Sequence, residues 1–249
     1  MLLYAVGGAS VFVFSGVMAM AGLGAAFLFV PIFYYLGVPL GQATSTALLL
    51  NAVSLSAATV AYWRGRLIDW HAGVPVLLAA VALAPFGARL TASVDRRVLL
   101  ALFVGFLVFA GAMMLSYRAR SSRRALSRTA EVGVGAGVGG VAGFLGGLLG
   151  VGGGNIILPG LTWLGLDAKV AAGTTALAVV FSSLSGFLGH AALGGLDPVF
   201  VLVMALLAGA GSLVGSHVMQ TRLSSAQLKR FIGVLLWVIA AKMAIDLPT

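Results

Sequence analysis

VGVGAGVGGVAGFLGGLLGVGGGNIILPGLTWLG, at residues 132–165, is an uncharged segment that is too long to cross a membrane once. As one straight helix its 34 residues would extend about 50 Å at about 1.5 Å per residue, whereas the hydrocarbon core of a bilayer is about 30 Å thick. The glycines Gly152–Gly154 interrupt the segment, and Pro159 follows them. The pattern therefore predicts a broken helix or a re-entrant hairpin rather than one straight helix.

A similar segment occupies residues 2–37 and has the glycine-containing stretch AGLGAAF near its middle. The two segments, and the chain that follows each, align without a gap at an offset of 128 residues. At this offset Pro31 matches Pro159 and Asp69 matches Asp197, in a chain with only seven prolines and six acidic residues. Because such matches are rare by chance, the sequence predicts an internal duplication, which is a recurrent plan of secondary transporters.

The composition matches a chain that is surrounded by lipid. Hydrophobic residues make up 61% of it and charged residues 8%, whereas about 25% of the residues in a soluble domain are charged. The first 63 residues contain no Asp, Glu, Lys, Arg or His. Because a membrane span needs about 20 apolar residues, several spans fit, and we expect an all-α polytopic protein in a lipid bilayer.

Polar breaks divide the chain into two repeats and a linker. The predicted first repeat covers residues 1–117, the basic linker RARSSRRALSRTAE covers 118–131, and the second repeat covers 132–249. Each repeat is expected to contain a broken or re-entrant first helical block and three spanning helices. Those helices are predicted at residues 38–63, 71–92 and 98–117, and at 170–194, 198–220 and 228–245.

The positions of the basic residues distinguish two topologies. If each long block crosses the membrane once, the repeats are parallel, and 8 basic residues lie on the linker side against 7 on the other. If each block turns back, the repeats are inverted, and the count is 11 against 4. The positive-inside rule therefore favours inverted repeats with a cytoplasmic linker and both termini outside. The net charge of +9 follows from this topology signal, and we expect no nucleic-acid partner because there is no soluble basic domain.

The residues around the glycine breaks resemble those of a bacterial membrane protein family. The second repeat has LGVGGGNIILPGLTWLG at 149–165 and AAGTTALAVVFSSLSG at 171–186, and the first has FVPIFYYLGVPLGQATSTALLLN at 29–51 and YWRGRLIDW at 62–70. This ordered set is similar to the sulfite exporter TauE/SafE family. The resemblance implies a multi-pass protein of the bacterial cytoplasmic membrane that exports small sulfur oxyanions or organosulfonates, of the sulfite, thiosulfate and sulfoacetate class. The first-repeat stretch AMAGLGAAF is poorer in glycine than the family's pattern, so we expect the two breaks to differ.

The breaks are the expected binding site for this anion. A helix N-terminus has unpaired N–H groups and the positive end of the helix dipole, which together attract an anion without a formal charge. Substrate-binding roles are predicted for Gly152, Gly153, Gly154 and Asn155 in the second repeat and for Gly22 and Gly24 in the first. The alternative is that the glycines only permit close helix packing.

Hydroxyl groups follow each break in the second helix of the repeat. Ser45 and Thr46 in the first repeat, and Thr174 and Thr175 in the second, are predicted donors to the substrate. Hydrogen bonds to the residue's own helix are the alternative for each of them. Weaker candidates in the same clusters are Gln42, Thr44, Asn51, Ser182, Ser183 and Ser185.

Ionisable residues inside the spans are few. His190 and His217 are candidates for proton coupling, because imidazole titrates in the physiological range, and a packing role is the alternative for each. Asp69 and Asp197 lie where a loop enters a helix, so we expect both to act as N-caps. Arg89 is interpreted as an anchor at the membrane interface.

Other classes of function find no support in the residues. The chain has no Cys, no paired-His spacing for zinc and no cluster of intramembrane carboxylates, so we expect no metal site, no cofactor and no enzymatic activity. The expected function is a secondary transporter that exports a small anion by alternating access between the repeats. A channel-like anion pathway and a non-transport subunit of a membrane assembly remain alternatives, and the sequence leaves a homodimer open.

Overall fold

The computed structural model describes residues 2–19, 22–116, 128–191, 197–222 and 225–246, and the regular structure within them is entirely α-helical. The helices in these ranges are α1 (Leu2–Ala19), α2 (Ala26–Tyr35), α3 (Leu40–Arg64), α4 (Trp70–Leu90), α5 (Arg96–Ser116), α6 (Arg128–Leu149), α7 (Gly154–Trp163), α8 (Ala168–Ala191), α9 (Pro198–Arg222) and α10 (Ser225–Ile245). The expectation of an all-α protein is therefore confirmed for the described residues.

Five of these helices have the length and apolar composition that a membrane crossing requires. They are α3, α4, α5, α6 and α8. The described parts of α1, α2, α9 and α10 contain shorter apolar stretches. The polytopic helical architecture that the composition predicts is thus present, and its helix ends lie within a few residues of the predicted ones.

The first long block is a broken helix that folds back on itself. It divides into α1 and α2, and the two helices lie side by side near the start of one and the end of the other. A Cβ atom on Gly7 of α1 would lie 3.6 Å from the side chains of Phe33 and Leu36. Tyr4 and Phe33 also pack their rings against the same partner, Phe200, with centroid distances of 5.6 and 5.5 Å. The end of α2 has therefore returned to the level at which α1 begins.

The second long block is broken in the same way, between α6 and α7. Gly160 of α7 packs against Val138 of α6, where an added Cβ would approach Val138 Cγ1 to 2.6 Å. Gly153, at the break, lies against the carbonyl group of Ala142, further along α6. Pro159 lies inside α7, so glycines rather than the proline interrupt the helix.

The helices α3 and α8 cross the centre of the molecule and run antiparallel. Leu48 of α3 lies against Gly186 of α8, and Asn51 further along α3 bonds to Ser183, which is earlier in α8. Because one residue number rises while its partner's falls, the two helices point in opposite directions.

The helices α5 and α10 also pack antiparallel. The Trp237 indole N–H donates to the carbonyl oxygen of Val108 at 3.2 Å. Gly111 packs against the Trp237 ring, and Gly233, earlier in α10, packs against Leu115, later in α5. These two helices therefore form a closely packed pair.

Small residues allow α4 to pack closely and in parallel along α6. A Cβ on any of three glycines of α6 would collide with the backbone of α4, so the two helix axes approach closely. The glycines are Gly139, Gly143 and Gly147, and they face Val76, Ala80 and Ala84 in that order. In a similar way α9 packs along α1, with Gly211 against the backbone of Phe12.

Polar contacts fasten the end of α2 to α5 and α10. Arg96 Nη2 donates to the Tyr34 hydroxyl at 2.8 Å, and the Tyr35 hydroxyl donates to Asp246 Oδ2 at 2.9 Å. Lys242 Nζ donates to the same carboxylate oxygen at 2.9 Å. The hydrogen bonds from Lys242 and then Tyr35 hold the pKa of Asp246 below its usual range. The end of α2, the start of α5 and the end of α10 therefore lie on one side of the bundle.

Candidate functional site

The two helix breaks meet in the interior of the molecule. Gly154, at the start of α7, lies so close to the carbonyl oxygen of Leu23 that a Cβ would not fit between them. Four of the five predicted glycines have left-handed backbone conformations, with φ of 66° at Gly22, 73° at Gly24 and 76° at Gly152 and Gly153, which glycine adopts without steric cost. The breaks of the two halves thus form one buried centre.

The side chain of Asn51 lies between the two breaks and is fully buried. Its Oδ1 accepts a hydrogen bond from the backbone N–H of Ala26 at 3.3 Å, and its Nδ2 donates to Ser183 Oγ at 3.0 Å. Both Gly24 and Gly152 pack against this amide so closely that a Cβ at either position would overlap it. The glycines therefore bring both chain breaks into contact with one polar side chain.

The sequence interpretation ranks Asn51 only among the weaker candidates, although its side chain links both breaks. A signal for it does exist. Asn51 is an amide within the charge-free first 63 residues, and its counterpart at the offset of 128 is the apolar Val179. An amide that the predicted duplication does not repeat indicates a role specific to one half of the molecule.

Both short helices direct their N-termini toward this centre. The first turn of any helix has N–H groups without an acceptor in the helix itself, and the helix dipole is positive there. At α7 the N-cap is Gly153, and no side chain caps the helix. Among the buried residues that the structure describes, the polar side chains are hydroxyls, amides and one imidazole, without any carboxylate, ammonium or guanidinium group. Positive potential at the centre therefore comes from the backbone.

Three of the predicted binding residues have buried polar atoms that no protein group satisfies. They are Oδ1 and Nδ2 of Asn155, Oγ of Ser45 and Oγ1 of Thr175. A buried polar atom without a hydrogen bond costs about 1–3 kcal/mol, so such atoms are uncommon unless a ligand or water uses them. Asn155, in the first turn of α7, thus brings an unsatisfied amide to the second break.

Other hydroxyl groups of the two clusters already form hydrogen bonds within the protein. Thr174 Oγ1 accepts from the backbone N–H of Asp69 at 2.9 Å and so holds the loop before α4. Thr44 donates to the carbonyl oxygen of its own helix at Leu40, at 2.6 Å, as the alternative interpretation expects. Thr46 is buried. Thr175 therefore has an unsatisfied hydroxyl group, whereas its neighbour Thr174 accepts a hydrogen bond from a loop.

Two further glycines at the breaks have close backbone neighbours. A Cβ on Gly22 would overlap the carbonyl group of Ala172 in α8, and a Cβ on Gly150 would overlap Thr44 in α3. Each glycine therefore lets the end of a break pack against the central helix of the other half. For Gly22 the geometry matches the packing interpretation.

A cavity of about 440 Å³ opens beside the loop that Thr174 holds. Its lining residues are Arg66, Ile68, Asp69, Trp70, His71 and Val170. The carboxylate of Asp69 accepts from the backbone N–H groups of His71 and Ala72 at 2.9 and 3.1 Å, so the predicted N-cap is confirmed. The Asp197 carboxylate likewise accepts from the N–H of Val199 at 3.0 Å. The structure therefore uses both repeat-matched acids to begin helices.

Of the two histidines predicted as candidates for proton coupling, the structure describes the side chain of one, His190. His190 is buried near the end of α8, and its Nε2 is 2.9 Å from the carbonyl oxygen of Gly147, in the last turn of α6 before the break. Its Nδ1 has no protein partner. The side chain of His217 lies outside the described residues. His190 therefore has contact with the second break through the backbone of α6.

Comparison with known proteins agrees with this architecture. Residues 8–243 match the family model for the sulfite exporter TauE/SafE. The chain is 25% identical to a protein of Bacillus subtilis (strain 168) named "Probable membrane transporter protein YunE", over 82% of this chain and 85% of that protein. No solved structure matches the chain. The chain therefore belongs to the sulfite exporter TauE/SafE family and is a multi-pass transporter of the bacterial cytoplasmic membrane.

Proposed function

We propose that this chain is a secondary transporter that exports a small sulfur oxyanion or organosulfonate by alternating access. One observation carries the proposal. Two half-helix N-termini meet in a buried centre that has unsatisfied amide and hydroxyl groups but, among the described residues, no buried charged side chain. The family model's description, which names sulfite export, supplies the substrate class.

The donors that we assign to the substrate suit an oxyanion. The N–H groups of Gly154 and Asn155 at the start of α7 are able to donate. The unsatisfied side-chain atoms Asn155 Nδ2, Ser45 Oγ and Thr175 Oγ1 are able to donate as well. Hydrogen bonds to an ionised acceptor are stronger than neutral ones, and a water-poor interior strengthens them further. A doubly or singly charged sulfur oxyanion would therefore gain several strong hydrogen bonds without meeting a buried carboxylate.

An inverted pair of repeats is part of the proposal. The predicted duplication matches α3 with α8 and α5 with α10, and both of these pairs pack antiparallel, as inversion requires. If each long block crossed the membrane once, Tyr35 and Asp246 would lie on opposite faces, yet their side chains are hydrogen-bonded. These contacts, together with the charge count, support repeats of opposite orientation with the linker in the cytoplasm.

Inverted repeats explain how the buried centre would open alternately to the two sides. The central α3–α8 pair joins the halves, and each half contributes one break to the same centre. Movement of one half against the other would then expose the centre to one face at a time. The cavity beside Arg66 and His71 lies on the side of the loop that Thr174 holds, which is the cytoplasmic side in this topology.

Thermal unfolding of the purified protein tests the substrate class. We expect sulfite, thiosulfate or a sulfonate such as sulfoacetate to raise the unfolding temperature, because a ligand that binds only the folded state stabilises it. The variant Ser45→Ala should lose most of the shift. The control Ser182→Ala removes a buried hydroxyl that bonds to its own helix at Val179, and it should keep the shift. Stabilisation by cations or uncharged metabolites alone would refute the anion proposal.

Liposome transport separates the mechanisms. An alternating-access transporter should show saturable counterflow, in which unlabelled sulfite on one side drives labelled sulfite inward against its gradient. A channel would conduct without counterflow, and an assembly subunit would do neither. Sulfite binding without counterflow would therefore leave the substrate class intact but overturn the mechanism.

A further inference from the structure

We infer that each chain has a single anion site, at the N-terminus of α7, and that the side chain of Asn51 occupies the equivalent position at the N-terminus of α2. This inference rests on the proposed function, since it assigns the anion of that function to one of the two breaks. The inference rests on two pairs of residues that correspond in the predicted duplication. Asn51 corresponds to Val179, and Phe27 corresponds to Asn155. In each pair one side chain is a polar amide and the other is apolar.

The N-terminus of α2 already has an acceptor supplied by the protein. Asn51 Oδ1 lies 3.3 Å from the backbone nitrogen of Ala26, the first residue of α2. An amide oxygen at this point takes the place that an anion's oxygen would take at an uncapped helix. Gly24 has no side chain, which is what allows the amide to reach it.

The N-terminus of α7 has no such acceptor. The residue that corresponds to Asn51 is Val179, which is fully buried and belongs to the same apolar cluster as Ile157 of α7. A valine side chain accepts no hydrogen bond. The N-cap residue Gly153 likewise provides no side-chain cap. The N–H groups of Gly154 and Asn155, the first two residues of α7, therefore remain for a ligand.

The residues in the first turns of α2 and α7 also differ in polarity. Phe27 in α2 is fully buried and apolar. Its counterpart Asn155 in α7 is only 2% exposed, and both polar atoms of its amide lack a protein partner. The α2 end is thus capped and lined by an aromatic ring, whereas the α7 end is uncapped and lined by an unsatisfied amide. The second end therefore has the additional donors that we assign to the anion.

The first test transfers the cap from one repeat to the other. In Val179→Asn, a side-chain amide is placed at α7 in the position that Asn51 has at α2, and it should compete with the anion. We expect equilibrium binding of radiolabelled sulfite to weaken at least tenfold. The control Val180→Asn makes the same change at the next, partly exposed residue and should bind sulfite as the wild type does. Equal weakening in both variants would contradict the cap mechanism.

A second test does not depend on the folding of the first variant. Asn155→Leu and Phe27→Leu place the same side chain at the second position of α7 and α2. We expect the first to abolish sulfite binding and the second to change the dissociation constant less than about threefold. Wild-type protein should bind one sulfite per chain. Two sulfites per chain, or equal losses in the two variants, would overturn the single-site inference, whereas absence of any anion binding to the wild type would refute the proposed function itself.

Discussion

Asn51 is the residue through which the two breaks contact each other. Its amide satisfies one N–H of α2 and one hydroxyl of α8, while two glycines with left-handed backbone conformations lie against it. A smaller side chain would leave those partners unpaired, and a larger one would not fit beside Gly24 and Gly152. Both smaller and larger side chains are therefore disfavoured at this position.

Asn51→Ala should strongly destabilise the protein. Loss of the amide leaves the Ala26 N–H and the Ser183 hydroxyl without this partner, at about 1–3 kcal/mol for each buried group. Unfolding in detergent, followed by circular dichroism, measures the change. The control Ser56→Ala removes an exposed hydroxyl of the same helix that bonds to Ala52, and it should shift stability by less than about 0.5 kcal/mol. Equal effects in the two variants would contradict a bridging role.

At the scale of elements, glycine has two separate uses in this chain. In α6 it forms a smooth face along which α4 packs, and the glycines there have helical backbone conformations. At the breaks it permits left-handed backbone and close approach of one chain segment to another. The same residue type therefore serves packing at one place and the candidate site at another, which sequence spacing alone does not separate.

Two alanine substitutions in α6 should change the free energy of unfolding in opposite directions. Gly143→Ala places a Cβ against the backbone of Ala80, whereas Gly137→Ala places one where no atom lies within 4 Å. We expect Gly143→Ala to lower the free energy of unfolding, since the helices must move apart. Gly137→Ala should raise it by up to about 1 kcal/mol, because alanine favours the helix over glycine. Thermal unfolding of both variants measures the difference. A change in the same direction in both variants would refute the packing of this face of α6 against α4.

Gly153→Ala should abolish transport while the protein still inserts into the membrane. Gly153 has a φ of 76°, and its Cβ would lie 2.6 Å from the carbonyl oxygen of Ala142. The control Gly37→Ala shares the backbone strain, with a φ of 88°, but no atom lies within 4 Å of its Cβ. Sulfite counterflow should fall at least tenfold in the first variant and persist in the second. Similar losses in both would assign the effect to backbone strain rather than to the site.

At the scale of the whole molecule, the directions of the helices bear on the proposed relation between the two halves. The pairs α3–α8 and α5–α10 run antiparallel, whereas α4–α6 and α1–α9 run parallel. In the proposed topology the linker lies in the cytoplasm and the chain ends outside. With four crossings per half, the linker and the C-terminus would instead lie on the same side.

Cysteine labelling distinguishes these topologies directly, because the chain contains no native cysteine. We introduce Ser121→Cys in the linker and Thr249→Cys at the C-terminus as separate variants. An impermeant maleimide should label the second in intact spheroplasts, and it should label the first only after permeabilisation. Labelling of both from the same side would refute inverted repeats.

Much of the fold was predictable from local chemistry. The lack of charge, together with glycines near the middle of each long block, indicates apolar helices that break, and the structure has the breaks at Gly22–Ala25 and Gly150–Gly153. The N-cap at Asp69 was predictable for the same reason, since a helix start depends on residues close in sequence. Pro31 and Pro159 mark the short helices but lie inside them.

By itself, then, the sequence determined the helical membrane class, the two breaks and the family resemblance, because these depend on composition and on neighbours along the chain. Only the tertiary structure decided that both breaks meet at Asn51, that Thr174 holds a loop, and that Ser45, Asn155 and Thr175 have unsatisfied polar atoms. The physical reason is that apolar helix faces are nearly interchangeable in pattern. Which hydroxyl or amide finds a partner depends on which helix lies beside it, and that is a property of the packed molecule.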